Sequence, residues 1–408
     1  MKRDQFSSHK MDENHFHWKE CITRQEEIYE RQDEVRSPFA RDYTRLLHCT
    51  AYRRLKHKTQ VFFAPLNDHI CTRIEHVNHV ASVSHTISAS LGLNTELAAA
   101  IAIGHDIGHA PFGHTGEAIL SGIASGETGC RFWHEQNSLR FADFFETLPD
   151  PNGNETNLNL TYAVRDGIIL HCGEYDENQL IPRNHKINLY DIVKPGQYAP
   201  YTWEGCVVKF SDKIAYIGRD IEDALTLNIL TFGQLRELTA IIKNHSGVTL
   251  PRINNTVLIN CFISDLCQNS SPEKGIGFSD DYLALMSAFR EFMRTNVYVH
   301  KRLEVYQEYA KLIIESIYAT LKDFYRAEDT VEWLRRKHRN KYPLLTEYFA
   351  EWILKFSDLQ GSAKSKRCTN ASIYKIGNPK DYNQAVIDFI TGMTDSFALR
   401  VFGELTSF

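Results

Sequence analysis

Between Val207 and Ala224 the apolar residues fall at Val207, Phe210, Ile214, Ile217, Ile221 and Ala224. Alternating steps of three and four trace one stripe along an α-helix. Comparable spacing runs through 76–104, 282–327 and 382–402, whereas strict apolar–polar alternation is sparse, so the pattern predicts a mostly α chain. Gly173–Tyr201 and Lys243–Val257 carry no helical period and read as loops or small hairpins. Breaks are expected at 149–156 (PDPNGNET), 268–279 (QNSSPEKGIGFS) and 361–371 (GSAKSKRCTNA). Residues 1–35 are polar and charged without a clean period, which suggests a loosely held arm or an oligomer contact.

Composition narrows the class. The 408 residues are 43% hydrophobic and 24% charged, with a formal charge of −5, which is the profile of a folded chain large enough to bury a core unaided. The longest unbroken apolar run, Leu97–Ile103, is far short of the roughly 18 residues of a membrane span. The first twenty residues hold no apolar stretch of the kind a secretory signal needs. A soluble, cytoplasmic protein with no membrane partner is expected. The nine cysteines contain no CxxC pair and read as reduced thiols. Mild acidity gives no chain-wide nucleic-acid footprint, and a charge of −5 does not decide whether single-stranded nucleic acid is an added partner. The basic run Arg53, Arg54, Lys56, Lys58 reads by default as a solvated helix face, with a subunit or nucleic-acid contact as the sharper alternative.

Histidine is concentrated. Eight of the 18 lie in 69–134, about a sixth of the chain, which favours metal or acid–base chemistry. The densest stretch is GHDIGHAPFGHTGE (104–117). His105 shares a helix face with Leu97 and Ile101, so its side chain points inward. A lone inward histidine is more often a satisfied core residue than a ligand. Asp106 weakens that reading, because a buried carboxylate beside a buried imidazole is costly unless a cation or hydrogen bonds satisfy both. Two further helices could supply ligands. In RIEHVNHVASVSH (73–85), Arg73, His76 and His79 recur every three residues. In FSDKIAYIGRD (210–220), Asp212 lies opposite the apolar stripe, with Tyr216, Arg219 and Asp220 within about 80° of it. A solvated face is the plainer explanation of that side, and spacing alone does not choose.

These residues carry a resemblance. His76, His105–Asp106 and Asp212 look like the H…HD…D signature of the HD-domain phosphohydrolases. The segments RRLKHKTQVF (53–62), RIEHVNHV (73–80), HDIGHAPFGHTGE (105–117), HEQNSLR (134–140), SDKIAYIGRDIEDAL (211–225) and GMTDSFAL (392–399) occur in the order seen in the deoxynucleoside triphosphate triphosphohydrolases, the dGTPase-like branch. The least similar text lies in 240–370. Ala110 stands where the branch usually has proline. His134 is followed by Glu135, Gln136 and Asn137 rather than Asn, spacer, Gln, so the amide that faces substrate is left open.

The resemblance implies an HD-domain helical core over 36–235, an N-terminal arm at 1–35 and a C-terminal helical region, 236–408, packed on the core. It implies hydrolysis of a deoxynucleoside triphosphate to deoxynucleoside and intact triphosphate. One divalent ion per site, of Mn, Mg, Fe, Co, Ni or Zn, would be held by His76, His105, Asp106 and Asp212. His114 and Glu117 match the proton-handling pair, and His109 and His134 line the same site. Arg73 and Lys213 match phosphate contacts, and Gln60, Tyr216 and Asp220 match contacts to the sugar. His79 and His85 match nothing in the signature. Family habit adds a homo-oligomer, hexamer or tetramer, and a nucleotide activator bound at subunit contacts would leave no motif of its own. The runner-up keeps the metal site but acts on a monophosphate, cyclic nucleotide or alarmone. A third reading, a non-catalytic nucleotide-responsive protein, predicts loss of a ligand or of the His114/Glu117 pair, and none is lost.

Overall fold

The computed structural model describes residues 4–27, 29, 33–63, 69–172, 178–249, 253–361 and 370–407. The predicted break at 361–371, with Cys368, lies mostly outside them. Among the described residues there are seventeen α-helices: α1 (Trp18–Cys21), α2 (Pro38–His48), α3 (Thr50–Arg54), α4 (Arg73–Leu91), α5 (Thr95–Gly104), α6 (Gly113–Glu127), α7 (His134–Arg140), α8 (Tyr162–Leu170) and α9 (Trp203–Thr226), followed by eight in the C-terminal half. Those eight are α10 (Phe232–Ser246), α11 (Asn255–Asn269), α12 (Asp280–Met293), α13 (Lys301–Asp323), α14 (Thr330–Lys337), α15 (Pro343–Phe356), α16 (Pro379–Thr391) and α17 (Asp395–Thr406). The chain is mostly α, as its pattern predicts. None of these helices is long and apolar enough to cross a membrane, and the eight described cysteines are free thiols.

Local chemistry sets the helices that matter. A capping box opens α4, where Glu75 accepts from the Thr72 N–H at 2.7 Å, and Gly92 closes it in the left-handed region. Asn94 Oδ1 accepts from the N–H groups of Glu96 and Leu97 at the start of α5, and Thr202 caps α9 through the Gly205 N–H. Helix α4 packs on both α5 and α9.

Two apolar clusters share α9. The six-residue stripe from Val207 to Ala224 packs into one of them, with α10–α12 and Val83, Ile87 and Leu91 of α4. Val208 and Ala215 face the other, which joins α2, α5 and α8 to α13 and α15–α17. The clusters cut across position 235 and do not divide the chain there.

Three expectations change. Residues 4–22 are not loosely held: Phe6 is buried edge-on against Trp203, and the Met11 N–H donates to Glu204 at 3.1 Å. The break at 149–156 is not an open linker but a hairpin, turning over 150–154 between β1 (Thr147–Pro149) and β2 (Glu155–Asn157), antiparallel with Leu148 opposite Thr156. The segment 243–257 is helical at both ends, since α10 runs to Ser246 and α11 starts at Asn255.

Candidate active site

Three helices bring His76, His105 and Asp212 together, their ligand atoms within 4.8 Å of one another, while Asp106 groups with His105 and His171. His76 projects from the first turn of α4, His105 follows the last residue of α5, and Asp212 lies mid-α9. His76 Nε2 is 2.9 Å from Asp212 Oδ1, and the rings of His76 and His105 sit 5.6 Å apart. Burial opposes charge on Asp212, but the His76 hydrogen bond and the neighbouring imidazoles outweigh it and hold the carboxyl below its usual range. The His105 Nδ1–H donates to the Ala102 carbonyl at 2.6 Å, so Nε2 carries the lone pair. That Nε2 is buried without a hydrogen-bond partner, with Asp106 Oδ2 3.8 Å away, an arrangement that ordinarily costs about 1–3 kcal/mol. Burial also pushes the imidazole toward its neutral, ligating form. Asp106 is buried and accepts from Arg73 Nη1 at 2.6 Å. Burial works against its charge, and Arg73 with the surrounding histidines more than reverses that. The His105 Nε2, without a hydrogen-bond partner and grouped with His76 and the ionised Asp212 on one hand and with Asp106 on the other, fits a divalent cation.

The loop after Asp106 is held from elsewhere. At Gly108 a Cβ would lie 2.2 Å from the Ser138 N, so only glycine lets α7 pack this close. Phe112 takes a left-handed conformation (φ 63°), and its N–H is held by Asp395 Oδ1 at 2.8 Å. Asp395 also accepts from the Thr59 N–H, and the Lys58 ammonium donates to the carbonyls of His109 and Thr391. Lys58 is therefore buried, not part of a solvated basic face. In the same run Arg54 pairs with Glu146, while Arg53 and Lys56 are exposed.

Glu117 is the hub of a second histidine cluster. It accepts from the His134 N–H at 2.8 Å, from His134 Nδ1 at 3.0 Å and from His114 Nδ1 at 3.3 Å. Burial opposes charge on both members of the Glu117–His134 pair, yet their mutual attraction lowers the carboxyl and raises the imidazole. The spacing of His114 and Glu117 singled out the more exposed partner, while the closer one comes from α7. His109 is fully buried, stacks on His134 at 4.6 Å and leaves its Nε2 without a partner.

These groups border a cavity of about 720 Å³, a size that suits a nucleotide-sized ligand. Gln60, Arg73, Tyr216 and Asp220 lie on its walls. Gln60 Oε1 is buried without a partner. Burial pushes Asp220 up to about 7 despite the Tyr298 hydroxyl that donates to it at 2.8 Å. Lys213 does not line the cavity: one residue beyond Asp212 it turns about 100° around α9, and its ammonium lies 5.5 Å from the Phe210 ring. Arg219 turns away as well, toward Asp223 and the His69 carbonyl. Arg73, expected on phosphate, also donates to the carbonyls of Thr59 and Gln60 and braces that segment against Asp106. Neither amide after His134 lines the cavity. Asn137 instead donates to the Gly108 carbonyl at 2.6 Å, and Glu135 takes the wall.

Sequence reasoning missed His171, Tyr298 and Tyr306. His171 repeats the geometry of His105, with Nδ1 bonded to the Ile168 carbonyl at 2.6 Å and the two rings 4.8 Å apart. Its only signal was a histidine closing the apolar run of α8. Tyr298 and Tyr306 come from the stretch with least recognisable text and had none.

The HD domain family model matches residues 73–217. The chain is 31% identical over 377 residues to the deoxyguanosinetriphosphate triphosphohydrolase-like protein of Caldanaerobacter subterraneus, covering 92% of this chain and 87% of the relative. The protein of the same description from Clostridium tetani is 31% identical over 380 residues (93% and 88%). That from Desulfatibacillum aliphaticivorans is 35% identical over 294 residues (71% and 74%).

Proposed function

Because the chain belongs to the dGTPase-like triphosphohydrolase family of HD-domain proteins, we propose that this metal-dependent phosphohydrolase cleaves deoxynucleoside triphosphates to deoxynucleoside and intact triphosphate. The observation that carries the reading is the junction of the cation cradle, with its orphaned His105 Nε2, and a cavity lined by Gln60, Tyr216, Asp220 and Tyr298. A substrate without a nucleoside gives that polar quartet no task.

His76, His105, Asp106 and Asp212 would hold the divalent ion, which supplies Lewis-acid polarisation of a phosphate oxygen and a lowered water pKa. Arg73 holds Asp106 in place. Water attacks the α-phosphorus, and the bond to the sugar 5′ oxygen breaks. His114, on the cavity wall and hydrogen bonded to Glu117, passes the proton that the departing oxygen needs. His134, kept charged by Glu117, stands on the Asp106 side, its Nε2 3.8 Å from Asp106 Oδ1, and counters phosphate charge. Near neutral pH Asp220 can donate as well as accept, which suits a sugar hydroxyl. The Tyr216 ring on the cavity wall, packed where a 2′ hydroxyl would project, would offer a steric reason for preferring deoxyribose. The reading places a homo-oligomeric enzyme in the cytoplasm.

The test is a product assay: each dNTP, alone and mixed, with Mn²⁺ or Mg²⁺, resolving nucleoside, monophosphate and triphosphate by ion exchange. Deoxynucleoside plus intact triphosphate is the expected result, and more turnover in the mixture than in the single assays would reveal a nucleotide activator. Monophosphate with pyrophosphate, or turnover only of a cyclic nucleotide or alarmone, would sink it. Asp106→Ala should abolish metal binding, read by calorimetry, together with turnover. His114→Ala should keep metal affinity and slow turnover by about 10²–10⁴-fold. Normal turnover in that variant would remove the role given to His114.

A further inference from the structure

Helix α13 serves the inside of the molecule on two sides and leaves a third face open. Leu303, Tyr306 and Gln307 reach the cavity, and Ala310, Ile313, Ile314 and Ile317 are buried in the core. On the solvent side Val305, Tyr309 and Leu312 are 73%, 42% and 54% exposed. Steps of four and three place them in one stripe. Scattered exposed apolar residues are ordinary, but an aligned stripe calls for a covering partner. Phe232 and Val299 are exposed too. The bond from Gln234 Nε2 to Asn296 Oδ1, 2.8 Å, sets the first turn of α10 beside the segment that leads into α13.

The charges beside the stripe indicate the partner. Lys301, Glu304, Glu308, Lys311 and Glu315 are all exposed, and among the described residues none of these side chains is hydrogen bonded or ion paired. Read from either end toward Glu308, their order runs in opposite signs: Lys301 and Glu304 on one side, Glu315 and Lys311 on the other. A surface with that order is complementary to itself when reversed.

We propose that this face joins two copies of the chain, their α13 helices antiparallel across a two-fold axis beside Glu308 and Tyr309. In that register Val305 of one copy faces Leu312 of the other, Lys301 faces Glu315, and Glu304 faces Lys311, each pair formed twice. Glu308 meets its own counterpart at the axis, three residues from Lys311. The proposal is independent of the chemistry assigned to the cavity.

Sedimentation velocity on the full chain, across about 0.5–50 μM, tests it, because the readout is mass rather than activity. The wild type should form a dimer, or an even-numbered assembly that contains it. Leu312→Glu should weaken the contact by about 100-fold or more, since it buries a charge against Val305. Lys301→Glu should weaken it about tenfold, and adding Glu315→Lys should restore it, because the reversed pair keeps opposite signs. Glu308→Gln should tighten it. A chain mixture of Val305→Cys and Leu312→Cys should give a disulfide-linked heterodimer under oxidation. A wild type that stays monomeric overturns the proposal, as does an assembly unchanged by Leu312→Glu or a double variant that regains nothing.

Discussion

At Glu204 the first turn of α9 buries a carboxylate that takes no part in the proposed chemistry. One oxygen accepts from the N–H groups of Met11 and Asn94, and the other has no partner. Burial pushes the group up from 4.5 to about 7. A carboxyl with a raised folded pKa contributes stability below its unfolded pKa and loses it as pH rises through the folded value. Glu204 therefore costs stability progressively between about pH 4.5 and 7. Glutamine keeps the acceptor oxygen and carries no charge, so Glu204→Gln should raise stability at pH 8, by on the order of 3 kcal/mol, and little at pH 4.5. Urea denaturation at the two pH values checks this, and an equal gain at both would refute the titration account. At this scale the sequence displayed His76, His105, Asp106 and Asp212, because adjacency and helical spacing are visible in one dimension. It misjudged Lys58, whose neighbours Arg53 and Lys56 are exposed while its own acceptors lie at residues 109 and 391, contacts no local pattern encodes.

The helices show why some elements were legible and others were not. The stripe of α9 was read correctly because all six residues enter one apolar cluster. The segment 243–257 hides its helix ends because the ends of α10 and α11 carry polar residues on exposed faces, which blurs the period. The loop 105–112 was recognisable by its histidines, but not its brace. Asp395, at the start of α17, supplies both carboxylate oxygens to N–H groups of the loop segments at 59 and 112. Asp395→Ala should leave both donors unmet, at a cost of about 2–4 kcal/mol. It should also lower kcat by more than it lowers metal affinity, since His109 and His114 move while the ligands stay. Asp395→Asn, with one acceptor oxygen, should fall between. Denaturation, calorimetry and turnover on the three proteins test the ordering, and equal losses of kcat and metal affinity would argue for general disruption instead.

Across the whole molecule, elements distant in sequence close one site. The stretch 280–323, inside the 240–370 region of least recognisable text, contributes Tyr298 and Tyr306 to the cavity wall and the exposed stripe of α13 to the surface. Such tertiary convergence leaves no trace in local spacing, whereas the helical class of the fold did. The brace at residues 391–395 has a consequence in time. While a ribosome is still making this chain, His76, His105, Asp106 and Asp212 emerge well before Thr391 and Asp395 exist. Until those residues arrive, Lys58 has only the His109 carbonyl, the N–H groups of Thr59 and Phe112 lack the Asp395 carboxylate, and the left-handed turn at Phe112 is unsupported. A nascent chain thus carries all four residues proposed to hold the ion long before the loop with His109 and His114 is braced, so the proposed hydrolysis would wait for the close of synthesis.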